Sequence, residues 1–157
     1  MKPGNFTQVY VQLVFAVKYR EALLTRDIRS TVFEYISGII TKMNHKSINV
    51  NGVSDHIHIL LGLNPAVSIS TTVHDIKRSS SLFINNEKLC KKRFSWQEGY
   101  GAFTYSKSHL NAVYHYINNQ EKHHEKITFR KEYIKFLECY DINYDRRFLF
   151  DFLDGAE

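Results

Sequence analysis

The chain has 157 residues, of which 43% are hydrophobic and 14% aromatic, and a formal charge of +5. That is enough apolar material for one folded domain, which excludes a disordered or low-complexity chain, and the modest basic excess fits a polyanionic partner without identifying one. The two cysteines, Cys90 and Cys139, lack metal-type spacing, which argues against a disulfide framework or cysteine zinc site and fits a reducing cytoplasm. Lys2-Pro3-Gly4-Asn5 does not open a signal peptide, and no apolar run approaches the ~20 residues of a membrane helix, so no membrane partner is expected.

Phe6 to Val17 is β-rich and partly alternating, and reads as a first strand. Thr25 then suits an N-cap, and apolar residues at Ile28, Val32, Tyr35, Ile36, Ile39, Ile40 and Met43 predict a helix from about Arg26 to Asn44. Ser47 to Val53 is a second strand and Asp55 to Leu63 a third. Asn51-Gly52 between them signals a hairpin turn, or a bulge. Ser68 or Ser70 can cap a second helix running to about Asn85, with Val73, Ile76, Ser80, Phe83 and Ile84 inward. Phe94 to Gln97 and Ala102 to Tyr105 are β-like. A third helix is expected from Ser106 or Ser108 to about Lys122, and a further helical segment from Thr128 to Glu138.

The order β-α-β-β-α-β-α predicts an α+β, ferredoxin-like (RRM-like) antiparallel sheet with helices on one face, plus a C-terminal helical segment. No linker or repeat divides it, so residues 1–157 are one domain. Residues 140–157 form a tail whose Phe148, Phe150 and Phe152 are expected to dock on the domain or on a partner subunit.

The third strand, Asp55-His56-Ile57-His58-Ile59-Leu60-Leu61, carries two histidines in an apolar run. Side chains alternate along a strand, so His56 and His58 share one face, about 7 Å apart at the backbone, and can converge on one metal ion. The plainer alternative is two satisfied core histidines. On the third helix, His109, Ala112, Gln120 and His123 fall within about 40° of Tyr116, beside a buried stripe of Leu110, Val113, Tyr114 and Ile117. Gln120 can then offer a carbonyl oxygen as a third, hard ligand one turn from the Tyr116 hydroxyl; alternatively, Tyr116 is an ordinary amphipathic-helix tyrosine and Gln120 faces solvent.

Together, the His56-Ile57-His58 strand and the Tyr116-Ile117-Asn118-Asn119-Gln120 helix resemble the single-tyrosine HUH transposases of small bacterial insertion sequences, with REP-associated tyrosine transposases as relatives. The resemblance also takes in Phe6 to Val17 and Trp96-Gln97-Glu98-Gly99-Tyr100-Gly101-Ala102-Phe103. It implies that Tyr116 is the nucleophile, forming a 5′-phosphotyrosine link to single-stranded DNA. It implies that His56, His58 and Gln120 hold Mg²⁺ or Mn²⁺. It also implies recognition of hairpins at element ends and action as a homodimer.

His123, on the Tyr116 face, is a candidate to approach the site, whereas the adjacent His123 and His124 diverge on a helix and pair poorly on a metal. Asp55 is not expected as a direct ligand. Lys77, Arg78, Lys91, Lys92 and Arg93 are candidates for DNA phosphate contacts, and Trp96, Tyr100 and Phe103 for base stacking, with core packing favoured for Phe103. Two other readings compete. A domesticated relative would act on repeated palindromes. An RRM-like module would bind single strands without catalysis, although no RNP1-like run is present. A histidine-triad hydrolase would need a third histidine where Leu60 stands.

Overall fold

A computed structural model describes residues 3–145, 147 and 149. Four strands form one antiparallel sheet: β1 (Tyr10–Ala16), β2 (Lys46–Gly52), β3 (His56–Gly62) and β4 (Gly101–Tyr105), in the order β2-β3-β1-β4. This is the α+β, ferredoxin-like arrangement expected from the order of elements. Helices α1 (Arg26–Lys42) and α2 (Ile69–Asn86) connect the strands, and α3 (Leu110–Asn118), α4 (Gln120–His124) and α5 (Phe129–Cys139) follow β4.

Register fixes which side chains share a face. Val11, Leu13 and Phe15 lie opposite Leu61, Ile59 and Ile57, and these six pack with α1 and α2 in the main core. The helices supply matching stripes, Ile28, Val32, Ile36 and Ile40 from α1 and Val73, Ile76 and Ile84 from α2. Each such side chain contributes roughly 1.5–3 kcal/mol on burial. Ser68 caps α2 by accepting from the Thr71 N–H at 3.0 Å.

The other sheet face carries Gln12, Val14 and Ala16 beside Leu60, His58 and His56. It too is covered. Leu60 packs with Val113 and Ile117 of α3. Phe103 of β4 stacks on Phe136 of α5, ring centroids 5.0 Å apart. The histidine face is therefore an internal seam between sheet and helices.

Local expectations are corrected at several points. Asn51-Gly52 is not the hairpin turn: Gly52 pairs with Ile57, residues 53–55 make the turn, and the ladder's irregularity lies between Ser47 and Asn49. Gly52 is needed for close approach, since a Cβ there would lie 2.3 Å from the His56 carbonyl oxygen. The segment around Trp96 makes only an isolated bridge to Val17, because the Trp96 ring turns inward onto Phe15 and Phe94 and its Nε1–H donates to Ser80 Oγ at 2.9 Å. The third helix breaks at Asn119 (φ −96°, ψ 20°), so α3 and α4 replace the continuous helix expected. Tyr114, expected inward, is 37% exposed. Tyr140 lies beside Phe103 and Tyr105, and Tyr144 and Leu149 pack against the core, while Phe148, Phe150 and Phe152 lie outside the described residues.

Candidate active site

Two fully buried imidazoles project from β3 into the seam, ring centroids 5.4 Å apart. Each is held from behind. His56 Nδ1–H donates to Asp55 Oδ1 at 2.7 Å, and Asp55 Oδ2 accepts from Arg20 Nε at 3.0 Å. Burial opposes a charge on Asp55, but His56 and Arg20 outweigh it and hold the carboxyl below its ordinary value. Phe129 of α5 stacks flat on the His56 ring, with centroids 3.8 Å apart. His58 Nδ1 accepts from Gln12 Nε2 at 2.9 Å, and Gln12 Oε1 accepts from the Tyr105 hydroxyl at 2.7 Å. Turning the Gln12 amide over would satisfy the same atoms and leave His58 Nε2 as a lone-pair donor. Both Nε2 atoms face the helical layer.

That layer brings Tyr116 and Gln120 to the same point. Tyr116 is half-buried, its ring centroid 5.9 Å from that of His58 in the same chain. Asn49 and Asn51 of β2 hold the end of α3 that carries it: Asn49 Nδ2 donates to Tyr114 O (3.2 Å) and Asn51 Nδ2 to Ile117 O (2.8 Å). Gln120 is fully buried rather than solvent-facing, its Oε1 3.1 Å from His124 Nε2. His123 Nε2 lies 3.4 Å from the Tyr116 hydroxyl.

Two members of the cluster were missed in the sequence. Glu132 of α5 is 3% exposed at its centre. Its Oε1 lies 3.1 Å from His58 Nε2, 3.2 Å from His124 Nε2 and 3.6 Å from His56 Nε2. Its Oε2 accepts from the Tyr116 hydroxyl and lies 3.0 Å from His123 Nε2. A helical wheel of α5 carried the signal, because Glu132 falls on the edge of the stripe made by Phe129, Tyr133, Phe136 and Leu137. His124, with Nε2 3.1 Å from His56 Nε2, was set aside because adjacent residues on a helix diverge by about 100° and pair poorly on a metal. Glu132 lies between the two rings and meets both, so their divergence does not keep either from the site.

The electrostatics follow from one carboxylate among imidazoles. Burial opposes the charge on Glu132, yet His58, His124 and His56 hold it well below the usual carboxylate range. Burial and the adjacent Glu132 both push the Tyr116 phenol up. His56 is raised, the Asp55 and Glu132 carboxylates outweighing burial, whereas burial dominates at His58 and lowers it. Imidazole nitrogens, a carboxylate oxygen and an amide oxygen converging on one point form a donor set for a divalent cation. Separations of 3.1–3.2 Å fall within the roughly 3.0–3.4 Å between neighbouring ligands about 2.1 Å from a shared ion, while the 3.6 Å between His56 Nε2 and Glu132 Oε1 is slightly longer.

The basic candidates lie elsewhere. Lys77 of α2 stands 5.2 Å over the Phe15 ring, across the sheet from the histidines, and its ammonium donates to Gln97 O and Gly99 O, both at 2.7 Å. Burial lowers its pKa to about 8. Arg78, Lys91, Lys92 and Arg93 are exposed, with Lys92 paired to Glu21. Trp96 and Phe103 belong to the core, and Tyr100 is 39% exposed.

Comparison with known proteins gives a consistent picture. The IS200-like transposase family matches residues 5–120, from before β1 to Gln120. The ISDra2 transposase TnpA of Deinococcus radiodurans is 25% identical over 122 residues, covering 74% of this chain and 87% of that protein. A Deinococcus radiodurans crystal structure classed as a transposase shares the fold at a TM-score of 0.62 and 22% identity, over 76% of this chain and 96% of its own. A REP-associated tyrosine transposase bound to a REP hairpin does so at 0.54 and 13% identity, over 99% of this chain and 96% of its own.

Proposed function

The chain belongs to the IS200-like transposase family, and from that premise we propose that it cuts and rejoins single-stranded DNA through a 5′-phosphotyrosine at Tyr116. The observation that carries the reading is the convergence of His56, His58, Gln120 and Tyr116 on one buried point at the sheet–helix seam.

In this reading the Tyr116 oxygen attacks the scissile phosphorus and the bond to the 3′-oxygen breaks. The phenol gives up its proton and the departing 3′-oxygen gains one. The new ester conserves the energy of the broken one, so a second 3′-hydroxyl can reverse the step and join strands without ATP. His56, His58 and Gln120 hold Mg²⁺ or Mn²⁺, which when bound neutralises charge on the phosphate and on the leaving oxygen. Asp55 and Gln12 keep the imidazoles aimed. The substrate is a hairpin-bearing element end, with Arg78, Lys92 and Arg93 offered to its phosphates from the α2 side. Two copies work as a homodimer, so that each tyrosine keeps one broken end.

A related reading replaces element ends by repeated palindromes. The REP-associated structure favours keeping it, since that likeness runs through α5 as well. A binding module without catalysis has less support, because α3 to α5 cover the sheet face on which such modules stack bases.

The test is incubation with single-stranded oligonucleotides carrying either an element-end hairpin or a repeated palindrome, with Mg²⁺ or Mn²⁺. A covalent protein–DNA adduct should form, map to Tyr116 and vanish in Tyr116→Phe; an adduct persisting in that variant would move the nucleophile, Tyr114 being the nearest alternative. His56→Ala should lose cleavage at least 100-fold while hairpin binding stays within about threefold, in keeping with loss of a metal ligand rather than of a phosphate contact. The oligonucleotide that is cut separates the two substrates.

A further inference from the structure

Glu132 lies twelve positions beyond the end of the family-matched segment, yet its carboxylate occupies the centre of the site. Residue 132 is in α5, and α5 reaches the sheet through two aromatic contacts, Phe129 on His56 of β3 and Phe136 on Phe103 of β4. Those contacts place the residue between them over the two histidines.

The two oxygens of Glu132 face different neighbours. Oε1 is turned to His56, His58 and His124, at 3.6, 3.1 and 3.2 Å. Oε2 is turned to Tyr116 and His123. A buried carboxylate is expensive unless positive charge or several hydrogen-bond donors meet it. Neutral imidazoles can offer at most one donor each, and one that keeps Nε2 free for an ion offers none there.

We propose that Glu132 is an anionic ligand of the same divalent ion: Oε1 joins His56 and His58 on the cation, and Oε2 holds the Tyr116 hydroxyl. The inference rests on the metal reading of the histidine pair and adds a ligand from outside the shared family segment. One side chain then spans cation and nucleophile, and fixes the distance between them. It also gives the site a negative charge of its own. Two imidazoles and an amide oxygen are all neutral, so a carboxylate strengthens binding of a hard dication before any DNA phosphate arrives.

The experiment is Mn²⁺ binding to the purified full-length protein without DNA, followed by the loss of the free-ion EPR signal. Wild type should bind one ion. Glu132→Gln, nearly isosteric, should raise the Kd at least tenfold, and Glu132→Asp should recover part of the loss. His56→Ala should abolish binding. If His56→Ala abolishes binding but Glu132→Gln stays within twofold of wild type, the inference is wrong and the metal reading stands. If His56→Ala also binds like wild type, the metal reading fails and takes the inference with it. A measurement on the wild type avoids any folding defect of the variants. With ¹³C-carboxylate glutamate incorporated, ENDOR of the bound Mn²⁺ should show coupling to a carboxylate carbon, and bound Mn²⁺ without it overturns the proposal.

Discussion

Asp55 illustrates how a residue that touches no substrate can govern the site. It sits at the turn before β3, where Arg20 holds one of its oxygens and His56 Nδ1 the other. The Nδ1 contact fixes the imidazole tautomer and turns Nε2 into the seam. Asp55→Asn keeps the shape and removes the charge. It should weaken Mn²⁺ binding by about 10–100-fold, measured by titration of the purified protein; unchanged affinity would show that the ring is held without it. Lys77 makes a second case. Its pKa of about 8 means that the folded chain releases this proton before the unfolded chain does. Between pH 8 and the ordinary lysine value the unfolded state binds more protons, so this group makes stability rise with pH over that window. Denaturant unfolding of wild type and Lys77→Met should show the rise in the first and lose that part of it in the second.

At the level of elements, the β2–β3 hairpin is the most constrained piece. Gly52 has the His56 carbonyl and the Ile57 Cα against it, both backbone atoms that cannot rotate away. Gly52→Ala should therefore cost about 3 kcal/mol, the upper part of the range for overpacking, read as a lowered denaturant midpoint. Because the clash falls on His56 itself, Mn²⁺ affinity should drop with it; a stable variant would show that the hairpin can splay.

These same elements show what was legible in the sequence. β3 could be read, since a strand of period two fixes His56 and His58 to one face whatever covers them. The pairing of α1 and α2 with the opposite face could be read too, because their apolar spacing is regular. The order of elements was enough for the sheet topology. What failed was the geometry beyond Asn119. Adjacent helical residues diverge by about 100°, yet His124 reaches His56 and His123 reaches Tyr116, because Glu132 of the next helix stands between the two rings and meets both. Glu132 was hidden for another reason. The wheel of α5 puts it at the edge of the aromatic stripe, but a lone glutamate there reads as solvent-facing until the packing of Phe129 on His56 shows what that edge meets. Asn51-Gly52 misled because the pair favours tight turns, whereas here close strand approach selects the glycine.

On the scale of the whole molecule, the candidate donors come from three separate places, β3, α4 and α5, on two sides of one seam. An ion bound there would tie the late helices to the sheet as well as serve chemistry. Binding to the folded chain alone adds RT ln(1 + [ion]/Kd) to its stability, about 2.7 kcal/mol at a hundredfold excess over Kd. For a domain of this size that is a rise in melting temperature of roughly 5–10 °C. A thermal melt with Mn²⁺ and with EDTA should show this difference in wild type and not in His56→Ala; equal melts at saturating ion would mean that the cation bridges nothing. The protein's heat resistance would then follow the divalent-ion supply of its surroundings, and a chelator would loosen its outer layer before any DNA is present.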